Sequence, residues 1–261
     1  MNFATWNVDA ALPVVATAVH AGHELRPEIE RAMVLDPDHR LREEDPFTDE
    51  LAASIGSWVA VERSRFEVDL NRPLDTAVYR TPEECWGIEV WSGTALADPL
   101  VEGSRRLHDR FYSDLAVVLD DLVARHGGFV LYDVHSYNHR RHGPEAPPEA
   151  SADNPTVNLG TGSLPDRWRP VADAFVGSLG GYELDGEPID VRRNVKFEGR
   201  HVAAFVHERY GDVGCALAIE FKKVFMDEWT GVVDKDRLDL LGEALRGTVG
   251  PVEAAWGAAW R

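Results

Sequence analysis

Four short apolar runs punctuate the chain, and each leads to a polar side chain. Residues 14–19 run into His20, residues 58–61 lead to Arg63 and Arg65, residues 129–134 lead to His135, and residues 215–219 lead to Glu220. Unbroken apolar runs of this length are the pattern of strands covered on both faces, as in a parallel or mixed sheet. Between them the pattern changes period. Leu107, Phe111, Leu115, Val118, Leu119 and Leu122 recur at spacings of three and four, which predicts an amphipathic helix over 105–126. Asp45 followed by Pro46 predicts a second helix start, with an acidic cap and Pro at the first helical position. Further helices are predicted over 165–179 and 235–246. Strand and helix alternate, so the predicted class is α/β, a three-layer fold whose mixed, mostly parallel sheet carries helices on both faces.

Residues 142–155 hold Pro144, Pro147, Pro148 and Pro155 and little apolar material, so they read as a long loop directly after His135. No internal repeat and no linker divides the chain, and residues 1–261 read as a single domain. Trp256 and Trp260 stand four residues apart on one helical face, which suits packing on the core or against a second copy in a homo-oligomer.

Composition narrows the partners. The chain has 45 acidic and 27 basic residues, a formal net charge of −18. A negative potential of that size works against nucleic acid and against anionic membrane surfaces. With 44% hydrophobic and 9% aromatic residues, there is material for a sizeable core. Cys85 and Cys215 have no zinc-type spacing and read as reduced thiols. The first residues lack an export signal, and no segment reaches the roughly 20 apolar residues of a membrane span. The expected location is cytoplasmic.

In open α/β sheets, ligands bind outside the carboxyl ends of the strands. Here those ends bring His20, the arginines of 63–72, His135 and Glu220. Two imidazoles and a carboxylate around an open position make a catalytic zinc set. His20 and His135 supply the imidazoles, while His23, Glu24 and the acids of 43–50 are the alternatives for the third ligand. Those acids equally suit a solvated helix start. Arg63, Arg65 and Arg72, with Asn71 beside them, offer rigid donors to a carboxylate, or neutralise Glu62, Glu67 and Asp69. Glu220 sits in an apolar segment, where a carboxylate is costly, so it is a general-base candidate or a partner for Lys222 or Lys223.

Five motifs in order carry a family resemblance: His20-Ala21-Gly22, Val68-Asp69-Leu70-Asn71-Arg72-Pro73, Asp133-Val134-His135-Ser136, Asn158-Leu159-Gly160-Thr161 and Ala218-Ile219-Glu220. Together they resemble the N-formylglutamate amidohydrolases, a family related in fold to zinc carboxypeptidases and aspartoacylases. The resemblance implies one zinc ion, a zinc histidine at His135, a catalytic Glu220, and a substrate carboxylate gripped by Asn71 and Arg72. Carboxypeptidases place their acidic ligand three residues after the first histidine, where this chain has His23. An Asp matching Asp45 recurs in the formylglutamate family, so the resemblance favours Asp45 as third ligand, then Glu24, then His23.

The implied activity is hydrolysis of the C–N bond of a small acidic N-acyl amino acid. Arg65, Arg63 and Arg140 are further candidates to bind it. Residues 137–143 add donors past His135 that either bind the far end of a substrate or form a solvated loop. The same chemistry on a peptide or secondary-metabolite amide, and a non-catalytic protein that binds an acidic metabolite, are the alternatives.

Overall fold

The computed structural model describes residues 3–93 and 96–259. Its framework is a seven-stranded sheet in the order β1-β3-β2-β4-β9-β5-β8. The strands are β1 (Ala4–Asn7), β2 (Val14–Ala18), β3 (Trp58–Val61), β4 (Val130–Tyr137), β5 (Val157–Gly160), β8 (Val191–Arg193) and β9 (Cys215–Lys222); β6 (Glu183–Leu184) and β7 (Glu187–Pro188) form a separate small ribbon. β3, β2, β4 and β9 run parallel, whereas β1 and β5 oppose their neighbours and β8 follows β5. The sheet is thus mixed and mostly parallel.

Helices cover both faces, which explains why β2 and the first half of β4 read as apolar runs interrupted only by Thr17 and Asp133: every residue in the two strands is buried. Val14, Ala16 and Ala18 join Val130, Tyr132 and Val134 in a core with α3 (Thr48–Ala53), α5 (Arg169–Leu179), α7 (Lys235–Gly247) and α8 (Val249–Ala259). The alternate residues Val15, Leu131, Ala216 and Ala218 face α4 (Asp98–His126) and α6 (His201–Tyr210). This period-two division is the three-layer arrangement seen from a single strand. Two short helices, α1 (Pro27–Glu30) and α2 (Pro37–Glu43), precede α3.

α4 begins seven residues before the predicted start at 105. Pro99 lies in its first turn; Val101 is buried there in a satellite core with Phe66, Tyr79 and Trp91, while Gly103 and Ser104 pack on the Arg26 guanidinium, which donates to Ser104 Oγ at 2.9 Å. Small residues at a tight contact leave no apolar stripe to detect. Gly127, at φ +83°, ends the helix. Trp256 packs on the core and donates from its ring nitrogen to Val213 O at 3.1 Å; Trp260 lies outside the described residues. Among the described residues no helix is long and apolar enough to cross a membrane.

The predicted cap at Asp45 is corrected by the structure. α3 starts at Thr48 after Phe47, whose φ of +67° turns the chain, and no side chain caps it. The Asp45 carboxylate points elsewhere, toward two histidines.

Candidate active site

The parallel strands β2, β4 and β9 deliver side chains to one end of the sheet. β4 and β9 pair so that His135 lies directly opposite Glu220, both on the face covered by α4 and α6. His20 follows β2, next to β4. Asp45 arrives from the turn between α2 and α3, with its backbone N–H donating to His20 O at 3.0 Å. One ligand atom each from His20, Asp45 and His135 lies within 4.8 Å of the others, and all three residues are buried.

Their geometry fits a metal ion. Asp45 Oδ2 stands 3.3 Å from His20 Nδ1 and 3.1 Å from His135 Nδ1. His20 Nδ1 is buried and has no hydrogen-bond partner. Its other nitrogen, Nε2, lies 2.7 Å from Asp69 Oδ1, so the carboxylate holds the proton there and leaves Nδ1 as a lone pair aimed at Asp45 and His135. His135 Nε2 lies 3.1 Å from Asp133 Oδ2, while Thr17 donates to the other Asp133 oxygen at 3.1 Å. A carboxylate behind each imidazole is the usual support of a metal-binding histidine. Burial pushes the Asp45 pKa up, but the hydrogen bond with His135 and the close approach of His20 outweigh it and hold the group well below the carboxylate range.

Asp69 organises the adjoining wall. Its Oδ1 also accepts from Asn71 N at 2.9 Å; Oδ2 accepts from Arg65 at 2.9 Å and from the Tyr79 hydroxyl. Burial opposes ionisation there, yet Arg65, His20 and Tyr79 together keep Asp69 ionised well below its ordinary range. Asn71 accepts from Val202 N at 3.1 Å through its side-chain oxygen, which turns its amide nitrogen to within 3.2 Å of His135 Nε2.

His20, Asp45, Asn71 and His135 line a cleft open to solvent. Arg65, Arg141, Arg200 and Lys223 provide its cations; Trp86 and Phe197 provide aromatic walls. Glu220 lies on the same surface, partly open to the cleft. Burial, with the charges of Asp45 and Asp133, raises its pKa to about 8 against the pull of His135 and Arg65. It forms no ion pair with Lys222 or Lys223.

A model of the N-formylglutamate amidohydrolase family matches residues 12–226. The chain belongs to that family. Among solved structures, N-formylglutamate amidohydrolase from Ralstonia eutropha JMP134 is similar at 19% identity over 98% of each chain, with a TM-score of 0.75. A gene product of Agrobacterium tumefaciens is similar at 17% identity over 94% of this chain and 93% of the other, with a TM-score of 0.66. At such identities the likeness is one of fold. Among curated proteins, no relative matches significantly.

Within this N-formylglutamate amidohydrolase family member, several sequence expectations land elsewhere. Glu24 does not join the two histidines: its backbone bridges to the chain beyond β3, and its carboxylate turns to solvent 3.8 Å from Arg63. His23 is held by Glu44 at 2.5 Å and Arg40 at 2.7 Å, outside the cleft. Arg63 faces that same outer groove. Arg72 does not line the cleft. It donates to Glu84 O at 2.8 Å, lies 3.6 Å from Asp69 and covers the Tyr79 ring at 4.6 Å. Arg140 donates to Pro144 O and pairs with Asp227 at 3.6 Å, whereas its neighbour Arg141 lines the cleft. Residues 142–155 form an irregular loop apart from one short turn, Ser151–Asp153, and do not line the cleft.

Other groups escaped the sequence reading. Asp133 lies two residues before His135 on one strand, so both share a face, and that spacing was the available signal. Arg200 precedes α6 and follows Gly199 at φ +93°; only the Gly-Arg step before an amphipathic segment hinted at it. Trp86 is 52% exposed at φ +53°, in a turn that periodicity does not reveal.

Proposed function

We propose that this protein is a zinc-dependent amidohydrolase that splits the C–N bond of a small acidic N-acyl amino acid, N-formylglutamate in type. The observation that carries this reading is the buried His20, Asp45 and His135 set beside Glu220, at the floor of a cleft lined by arginines. His20, Asp45 and His135 would hold a zinc-class cation, which when bound would polarise an amide carbonyl and make water more acidic. Glu220, when ionised, takes a proton from the attacking water and returns it to the leaving amine, so that one water is consumed and an acid and an amine are released. Asp69 holds the His20 imidazole in orientation, and Asp133 places its charge 3.1 Å from the His135 ring, whose Nε2 also meets the Asn71 amide. Asn71, Arg65 and Arg200 border the space for the substrate, and Arg200 makes no ion pair among the described residues. An otherwise acidic protein therefore offers a locally cationic cleft, which suits an anionic substrate.

The test is a metal analysis of the purified protein with a panel of N-acyl amino acids, N-formylglutamate first. Expected are one divalent ion per chain and metal-dependent release of amine; His135→Ala loses both. Absence of stoichiometric metal together with no hydrolysis after zinc is supplied overturns the proposal. Turnover of another amide alone retains the chemistry and replaces the substrate.

A further inference from the structure

The segment that carries Asp45 is fastened by three separate strands. Asp45 N–H donates to His20 O just past β2. Asn138, three residues after His135 on the continuation of β4, donates from Nδ2 to Arg42 O at 3.0 Å. Lys223, three residues after Glu220 and just past β9, donates from Nζ to the same Arg42 O at 2.6 Å and to Glu44 O at 2.7 Å. Lys223 is only 1% exposed, and its own backbone continues the β4–β9 ladder by donating to Tyr137 O at 3.0 Å. The carbonyls at the end of a helix lack intrahelical donors, and α2 ends at Glu43. A cation placed there satisfies them and suits the negative end of the helix. A buried lysine is costly unless its hydrogen bonds are needed, and here both known acceptors flank the stretch leading into Asp45.

We propose that Lys223, assisted by Asn138, is a positioning residue that locks the 42–45 segment so that Asp45 meets His20 and His135 in metal-binding geometry. Each strand that brings a functional group to the site then also fixes the turn that supplies the remaining ligand. The clamp rests on the reading of His20, Asp45 and His135 as metal ligands. Lys223 borders the cleft, but its Nζ is engaged by the carbonyls of Arg42 and Glu44, so it acts through Asp45 and not on the substrate, unlike the arginines there.

Zinc affinity, measured by competition with a chromophoric chelator, tests it on the intact protein, Lys223→Met, Asn138→Ala, Asp45→Asn and the Asp45→Asn/Lys223→Met double variant. Supporting partners of metal ligands typically govern affinity by about 10–100-fold, and a loss in that range is expected for Lys223→Met. In the Asp45→Asn background the same change should have no further effect, which a merely structural role would not produce. Should Lys223→Met fail to fold, Asn138→Ala carries the test, with an expected loss of about threefold to tenfold. Zinc binding by the intact protein with unchanged affinity in the folded variants overturns the clamp alone. So does a loss of equal size in the Asp45→Asn background. No zinc binding by the intact protein overturns the metal reading beneath it, and the clamp with it.

Discussion

Glu220→Gln separates two consequences of one environment, because a carboxyl raised to a pKa of about 8 is both a base near neutrality and a pH-dependent burden on the fold. The sign follows from the two states of the chain. At pH values below the ordinary 4.5 the carboxyl is protonated whether folded or unfolded, and it contributes nothing. Between 4.5 and about 8 the unfolded chain ionises while the folded one holds its proton, so stability falls as pH rises. Above about 8 the full cost remains. At 1.36 kcal/mol for each pH unit between those limits, the ceiling is about 5 kcal/mol. Glu220 stays partly open to the cleft, and solvent there trims the expected effect to ~2–3 kcal/mol. Glutamine keeps the shape and removes the ionisation. In metal-free protein, Glu220→Gln should therefore raise the melting temperature by roughly 5–10 °C near pH 9 and by much less near pH 5. Thermal unfolding of the chelator-treated pair at both pH values is the assay. An equal difference at the two values refutes the raised pKa. In the metal-loaded protein the same variant should lose ~10²–10⁴ in turnover with metal still bound, and full activity refutes the base assignment.

Three further outcomes follow from individual contacts. Arg200→Ala should raise KM for an acidic N-acyl amino acid by roughly 10–100-fold, the value of one charge-assisted hydrogen bond, while leaving a neutral amide unaffected; equal KM for both substrates refutes its role. Arg72→Ala should lower the melting temperature with little change in KM, because its guanidinium is engaged with Glu84 O, Asp69 and the Tyr79 ring; steady-state kinetics with a loss in KM alone contradicts this. Gly22→Ala should destabilise by ~1–3 kcal/mol in denaturant unfolding, since a Cβ there would lie 2.1 Å from the Glu62 carbonyl carbon; unchanged stability shows that the backbone yields.

Local patterning determined a good part of this protein. The apolar runs of β2, β3, β4 and β9 announced buried strands because both sheet faces are covered, and coverage leaves no alternation to misread. The polar residues just past them were legible as candidates because strand ends in such sheets open onto a crevice. The strands β1 and β8 were not legible, since a few residues on a partly exposed edge carry little periodicity; β5, buried inside the sheet, is only four residues long, and α2 and α6 each bury too few side chains to mark a stripe.

What the tertiary structure alone decided is direction and partnership. Residue types alone leave Glu24 and Asp45 both open as partners of His20, and only the family resemblance ranks Asp45 first; the bridge of Glu24 to Arg63 and the bond of Asp45 N to His20 O separate them in space. Arg72 and Arg140 looked like substrate donors by type, yet each is spent on neighbouring groups, while Arg200 enters the cleft from some 130 residues downstream of Asn71. Hydrophobic periodicity is a one-dimensional signal and records which face of an element is buried. The direction of a charged side chain is set by partners distant in sequence, because a buried charge must be paired, and the pairing exists only once the chain has folded.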